Sequence, residues 1–215
     1  MMDNYFFDFD GTLADSGQTA IVATQAAFRD YDLVVPDENT IAYFMGVPIE
    51  VSFKKMAPEV EFSDYEFNEL LAIFRSYYKQ MENSNLTLFP HISKVLKQLH
   101  EEGKQLFVVS SKHSAALQRN LEQLEIDQYF KAVLGSDQVK KFKPAPDGLL
   151  YLIKKYQLDP SKSVMIGDAI FDLQMGKSAG VATCAVTWGT HRKKELLAEE
   201  PTFVVSKPKQ LLKID

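Results

Sequence analysis

Two carboxylates two residues apart, Asp8 and Asp10, follow the apolar run Tyr5-Phe6-Phe7 in the segment Asp8-Phe9-Asp10-Gly11-Thr12-Leu13. If that run is a β-strand, side chains at i and i+2 point the same way, and Gly11 then lets the chain turn where a side chain would clash. The pair is thereby set at the carboxyl end of a strand, where open α/β sheets place their ligands. Like charges so close repel. The pair therefore requires a cation, a shared proton or a reaction that uses it.

A second apolar run ending in an acid, Val164-Met165-Ile166-Gly167-Asp168, is followed by Asp172 after Ala169-Ile170-Phe171. Singly, each of these aspartates reads as a helix cap or a turn residue. Two strand-end carboxylate pairs in one chain favour a shared site instead. A hard divalent cation such as Mg²⁺ takes oxygen ligands, usually one or two carboxylates with phosphate oxygens and waters. Asp8, Asp168 and the backbone carbonyl of Asp10 could supply them. Ser110 closes the run Leu106-Phe107-Val108-Val109, and Lys143 stands in Lys141-Phe142-Lys143-Pro144-Ala145-Pro146-Asp147. A hydroxyl and an ammonium aimed at the acids would bind an anion that bridges to the metal, and the compact charge of lysine suits a phosphoryl group. The two prolines predict an extended loop that positions Lys143.

A sheet is needed to bring these positions together. Five short apolar runs recur, at 5–9, 105–110, 132–135, 164–167 and 181–186. Helical patterns separate the later ones: 114–125 with Leu117, Leu121 and Leu124 on one face, 147–156, and 172–179 closed by Gly180. The alternation predicts an α/β fold, a doubly wound parallel sheet with a Rossmann-like core. Residues 16–86 break the rhythm. There 21–31, 50–56 and 65–82 read as helices, Asp37-Glu38-Asn39-Thr40 and Phe62-Ser63-Asp64 read as helix starts, and no strand is evident. The expected division is an α/β core from residues 1–15 and 87–215, with a small all-helical cap, 16–86, inserted after strand 1. The tail from 202 to 215 is expected to add an edge strand and a terminal helix.

At 215 residues the chain is long for one domain and short for two, which fits one core with an insertion. A net charge of −5 argues against a nucleic-acid-binding surface. No basic-then-apolar leader precedes Asp8, and no apolar run reaches the ~18 residues of a membrane span. The lone Cys184 cannot form an intramolecular disulfide, which fits a reducing compartment. These features predict a cytoplasmic protein, monomer or weak homodimer, with no nucleic-acid and no membrane partner.

Taken in order, Asp8-Phe9-Asp10-Gly11-Thr12, Ser110, Lys143-Pro144 and Gly167-Asp168-Ala169-Ile170-Phe171-Asp172 resemble the haloacid dehalogenase superfamily over essentially the whole chain. Within it the chain resembles the phosphoglycolate-phosphatase type with a helical cap. The resemblance implies that Asp8 is the nucleophile that forms an aspartyl-phosphate and Asp10 the general acid, then base. It implies that Lys143 neutralises charge on Asp8 and the phosphoryl group, and that Mg²⁺ is held by Asp8, Asp10 and Asp168. Asp172 would support by orienting Lys143 or a water. Ser110 would contact the phosphoryl oxygens, with Ser111, Thr12 and Gly46 also on the substrate side. Similar dehalogenases lack the second acid and phosphonate-cleaving relatives carry Ala there, so Asp10 argues against both. Membrane ATPases of the superfamily carry Lys after the nucleophile and need transmembrane helices. The expected activity is Mg²⁺-dependent hydrolysis of a small phosphorylated substrate such as phosphoglycolate, a sugar phosphate or a nucleotide. Inorganic pyrophosphatase and sugar phosphomutase are the alternatives. A signalling receiver would lack the large insertion after strand 1.

The cap is less legible. Phe44-Met45-Gly46-Val47-Pro48-Ile49-Glu50 resembles the substrate-specificity loop of such relatives. Gly46 would let backbone amides approach a ligand, or Glu50 would cap a helix. Arg75, Tyr77 and Tyr78 could reach a substrate carboxylate but read first as packing, and Lys112 and His113 could line the entrance but read first as solvated surface. His100 and His191 offer no ligand spacing. Phe89-Pro90-His91 departs from the Pro-Gly common where such chains leave the cap.

Overall fold

Residues 1–214 are described by a computed structural model of the chain. The chain opens with β1 (Asn4–Phe7), which is followed by a two-residue strand, β2 (Ala14–Asp15). Four helices come next: α1 (Gly17–Asp30), α2 (Glu38–Phe44), α3 (Ile49–Met56) and α4 (Asp64–Asn85). A second two-residue strand, β3 (Thr87–Leu88), returns the chain to α5 (Ile92–Glu101) and β4 (Gln105–Val109). The alternation then runs α6 (Ser114–Gln123), β5 (Ala132–Leu134), α7 (Asp147–Tyr156), β6 (Ser163–Gly167), α8 (Ile170–Ser178) and β7 (Ala182–Val186). The chain ends with α9 (Lys193–Ala198), β8 (Phe203–Val205) and a 3₁₀ stretch at Pro208–Lys213. Among the described residues, no helix is long and apolar enough to cross a membrane.

Six strands form one parallel sheet in the order β5-β4-β1-β6-β7-β8, the doubly wound arrangement expected from the alternation. Both sheet faces are covered, which is why the strands read as continuous apolar runs. Alternate residues divide between the faces. Tyr5, Phe7, Leu106, Val108, Val164 and Ile166 pack with α5 and α6. Phe6, Phe107 and Met165 pack with α7 and α8 on the opposite side. The central position of β1, with Phe7 opposite both Val108 and Ile166, sets the carboxyl ends of β1, β4 and β6 side by side. The order of strands reverses there, which makes it the switch point where such sheets form a crevice.

The helices between β2 and β3 have their own apolar centre, built from Phe28, Phe53, Leu70, Phe74 and Tyr78 among others. Asp37 accepts from the Thr40 amide at 3.0 Å, and Ser63 and Glu66 form a capping box. The helix starts expected at both places are therefore present, and α2 is a full helix. The strand pair β2–β3, antiparallel with Ala14 opposite Leu88, was not legible, because two residues carry no period. α1 begins four residues earlier than the pattern suggests, since its first turn, Gly17-Gln18-Thr19, is polar. The edge strand and terminal helix expected at the end are β8 and the 3₁₀ stretch, and Asp215 lies outside the described residues. His91 takes the left-handed conformation, φ +73°, at the position where Gly was the expected residue.

Phe107 is fully buried and its ring stacks on Phe6 at 4.9 Å between centroids. Phe107→Ala is expected to lower the unfolding free energy by about 3–5 kcal/mol in urea denaturation. A loss below about 1 kcal/mol would show that this face of the sheet repacks freely.

Candidate active site

The site is assembled where the three adjacent strands end. Asp8 is the first residue beyond β1, and its amide donates to the Ile166 carbonyl at 2.9 Å, which extends the ladder and directs the side chain. Asp168 follows β6 and Ser110 follows β4. Lys143, from the loop between β5 and α7, reaches in so that its Nζ donates to Asp8 Oδ1 and to Asp172 Oδ1, both at 2.7 Å. Only 3% of its side chain is exposed. Asp172, in the first turn of α8, also accepts from the Ala169 amide at 3.1 Å through Oδ2. A side chain at Gly167 would place its Cβ 2.2 Å from that oxygen, so a glycine is required there.

Asp168 is held more fully. Oδ1 accepts from the Thr12 hydroxyl at 2.9 Å, and Oδ2 accepts from the Thr190 amide at 2.8 Å and hydroxyl at 2.5 Å. The Thr12 carbonyl in turn accepts from Trp188 Nε1 at 3.1 Å. Thr12, expected on the substrate side, is thus fully buried behind Asp168. The turn that folds it inward passes Gly11 at φ +81°, where an added Cβ would lie 2.2 Å from Asp168 Oδ2. Thr190 lies beyond the reach of the sequence reading, because it approaches from the loop after β7.

Oxygens of Asp8, Asp168 and Asp172 lie within 4.8 Å of one another, all buried. Burial raises the Asp8 carboxyl to about 7 against the opposing pull of Lys143. Burial likewise raises Asp168 and Asp172. Burial alone would lower the Lys143 ammonium, but Asp172 and Asp8 outweigh it and hold it above its ordinary value. Three carboxylates around one ammonium leave two negative charges uncompensated, the charge of one divalent cation. An all-oxygen donor set of that charge fits a hard divalent cation such as Mg²⁺.

The Asp10 side chain points into a different group. Its Oδ1 accepts from the Ser16 hydroxyl at 2.6 Å and from Lys112 Nζ at 2.9 Å, and the Tyr78 hydroxyl stands at 3.5 Å. Lys112 also donates to Tyr78 Oη at 2.9 Å and lies over the rings of Phe9 and Tyr78. Burial alone would lower the Lys112 ammonium, but Asp10 and Tyr78 hold it above its ordinary value. Burial pushes the Tyr78 hydroxyl up to about 12. Lys112 is therefore not solvated surface. Its position two residues past a strand-end serine was the available signal, and only its burial against α4 reveals the contact.

A cavity of about 400 Å³ extends from Asp8, Asp10 and Ser110 into the helices between β2 and β3. Ser111 and Gly46 both line it, and the Ser111 hydroxyl donates to the Gly46 carbonyl at 2.6 Å, tying the α2–α3 loop to the sheet end. Gly46 has φ +96°, and a Cβ there would meet that of Ala169 at 3.2 Å. Arg75 pairs with Glu50 at 2.8 Å. His113 caps α6 by accepting from the Ala115 amide. His191 is buried, stacked on Tyr43.

A family model described as haloacid dehalogenase-like hydrolase matches residues 5–186. A phosphoglycolate phosphatase of Vibrio vulnificus is 31% identical over 213 residues, spanning 97% of this chain and 93% of its own. Pyrophosphatase PpaX of Listeria monocytogenes is 28% identical over 210 residues, spanning 97% and 94%. Among solved structures, a haloacid dehalogenase-like hydrolase from Streptococcus pneumoniae matches with a TM-score of 0.84 at 31% identity, over 99% of this chain and 97% of that one. The chain belongs to the haloacid dehalogenase-like hydrolase family. Within that family it is a phosphatase.

A carboxyl whose folded pKa lies above its unfolded value binds more protons when folded, so its contribution to stability is lost as pH rises through the folded value. For Asp8 that window runs from about pH 4 to about 7. Metal-free protein is therefore expected to lose stability across this range, and about 10 mM Mg²⁺ to raise Tm more at about pH 8 than at about pH 5.5. Equal Mg²⁺ effects at both pH values, in scanning calorimetry, would separate the cation from these carboxylates.

Proposed function

We propose that this phosphatase hydrolyses small phosphorylated metabolites with Mg²⁺ as cofactor, through an aspartyl-phosphate on Asp8. The observation that carries the reading is the Lys143 ammonium held at 2.7 Å from both Asp8 and Asp172, beside Asp168. Bound Mg²⁺, held by Asp8, Asp168 and the Asp10 carbonyl, would supply charge stabilisation for the phosphoryl oxygens and the attacking carboxylate.

Asp8, freed of its proton, attacks phosphorus, and its carboxylate is kept oriented by Lys143 and the Ile166 ladder contact. Ser110, on the cavity wall beside Asp8, donates to a phosphoryl oxygen. Asp10 gives a proton to the leaving alkoxide and then takes one from the water that cleaves the acyl phosphate. Because Lys112, Ser16 and Tyr78 converge on Oδ1, Oδ2 is the oxygen left for that exchange. Most of the work is positioning and charge stabilisation, as phosphoryl transfer requires. Inorganic pyrophosphate is the second reading, favoured by the pyrophosphatase among the relatives.

Asp8→Asn is expected to lower hydrolysis of p-nitrophenyl phosphate by at least about a thousandfold, with the circular dichroism spectrum retained. Asp10→Asn is expected to cost about 10²–10⁴-fold. Turnover surviving in folded Asp8→Asn would remove it as nucleophile. EDTA is expected to abolish activity and excess Mg²⁺ to restore it; an EDTA-insensitive enzyme contradicts the cofactor assignment.

A further inference from the structure

We propose that the alcohol released from phosphate is bulky and mostly apolar, an aryl or longer alkyl group, rather than a carboxylate-bearing two-carbon fragment or a second phosphate. This rests on the phosphatase reading of Asp8 and specifies its substrate class.

The cavity that begins at Asp8 and Asp10 measures about 400 Å³. That lies within the range of about 300–1,000 Å³ typical of sites that enclose drug-sized ligands. A two-carbon ester would leave much of it to water. Beyond the sheet end, the apolar part of its wall includes Phe44, Met45, Ile49, Phe53, Met56 and Phe74. Phe53 and Phe74 are buried core side chains packed edge to face at 5.1 Å, so this part of the wall is rigid. Removing such a surface from water favours an apolar occupant.

An anionic occupant would need cations, and three of the four lysines and arginines on the wall, all but the exposed Lys79, are already engaged. Lys112 is bonded to Asp10, Arg75 to Glu50, and Arg119 to Glu82 at 2.7 Å. Glu82 is 2% exposed and also accepts from Asn120 at 2.9 Å. Drawing Arg119 toward a ligand would strand a buried carboxylate, and drawing Lys112 away would strand Asp10, the group assigned to proton transfer. Arg75 and Lys79 are exposed, and charge pairing there is weakened by water. The wall therefore attracts an apolar leaving group more strongly than a charged one.

The reaction is that of the proposed function: the phosphorus–oxygen ester bond breaks, the alkoxide leaves with a proton from Asp10, and water ends as an oxygen of inorganic phosphate. The test is kcat/KM with Mg²⁺ for ethyl, butyl, hexyl and 2-phenylethyl phosphate, whose leaving groups have similar basicity. The expected rise is about threefold to fourfold per methylene until the cavity is filled, with phosphoglycolate and pyrophosphate no better than ethyl phosphate. Ile49→Ala and Met56→Ala, at half-buried positions that leave Phe53 and Phe74 intact, are each expected to lower the hexyl-to-ethyl ratio about fivefold. A flat or falling series, or phosphoglycolate or pyrophosphate exceeding hexyl phosphate tenfold, overturns the inference while p-nitrophenyl phosphate hydrolysis leaves the phosphatase reading standing. Absence of all Mg²⁺-dependent phosphate release overturns both.

Discussion

The buried ammonium of Lys143, shared between Asp8 and Asp172, is the interaction on which the site depends. Isolated in the interior, any one of these charges would be costly to desolvate, and the cost is offset only while all three stay together. Their geometry is consequently demanding. Lys143 arrives from the β5–α7 loop, Asp8 from the end of β1 and Asp172 from the first turn of α8, so three separate connections converge within hydrogen-bond range. The single positive charge is outnumbered by carboxylates once Asp168 is counted. Burial pushes the Asp8 carboxyl up to about 7, and the excess of carboxylates makes the cluster a place for a divalent cation.

Close packing around the carboxylates keeps them from relaxing apart. Gly11 and Gly167 each leave room where a Cβ would overlap a carboxylate oxygen. Thr12 and Thr190 fix both oxygens of Asp168 from opposite directions in the chain. Ordinary β-strand alternation supplies the rest, since the residues preceding the acids divide cleanly between two apolar layers. The site is therefore as rigid as the sheet that carries it.

A second ion pair, Lys112 with Asp10, gives the two opening acids different surroundings. Asp8 lies among carboxylates and Lys143, whereas Asp10 is bonded by a lysine, a serine and a tyrosine that α4 supplies. Because Tyr78 belongs to the helical layer and Lys112 to the sheet end, the environment of Asp10 exists only when those parts are in contact. Glu82 with Arg119 and Asn120 makes a further junction between α4 and α6. Asp10 and the cavity beside it are thus assembled by the same interface.

Much of this was legible in residue order. The apolar runs, the helix starts at Asp37 and Ser63, and the acids at strand ends are local patterns, and local periodicity is what a chain displays directly. The doubly wound sheet follows from their alternation. What tertiary structure alone decided are meetings between distant segments. Thr190 on Asp168, Tyr78 and Lys112 on Asp10, and Thr12 behind Asp168 rather than beside a substrate have no signature in spacing. The two-residue strands β2 and β3 are too short to carry a period, and they emerge only because they pair with each other. Lys112 shows the principle most clearly: next to a serine at a strand end it reads as surface, and only packing under α4 takes it out of water and binds it to Asp10. By itself the sequence determined which acids stand at which strand ends, because strand periodicity is local. The folded chain decided what each acid touches, because burial and contact are properties of the whole.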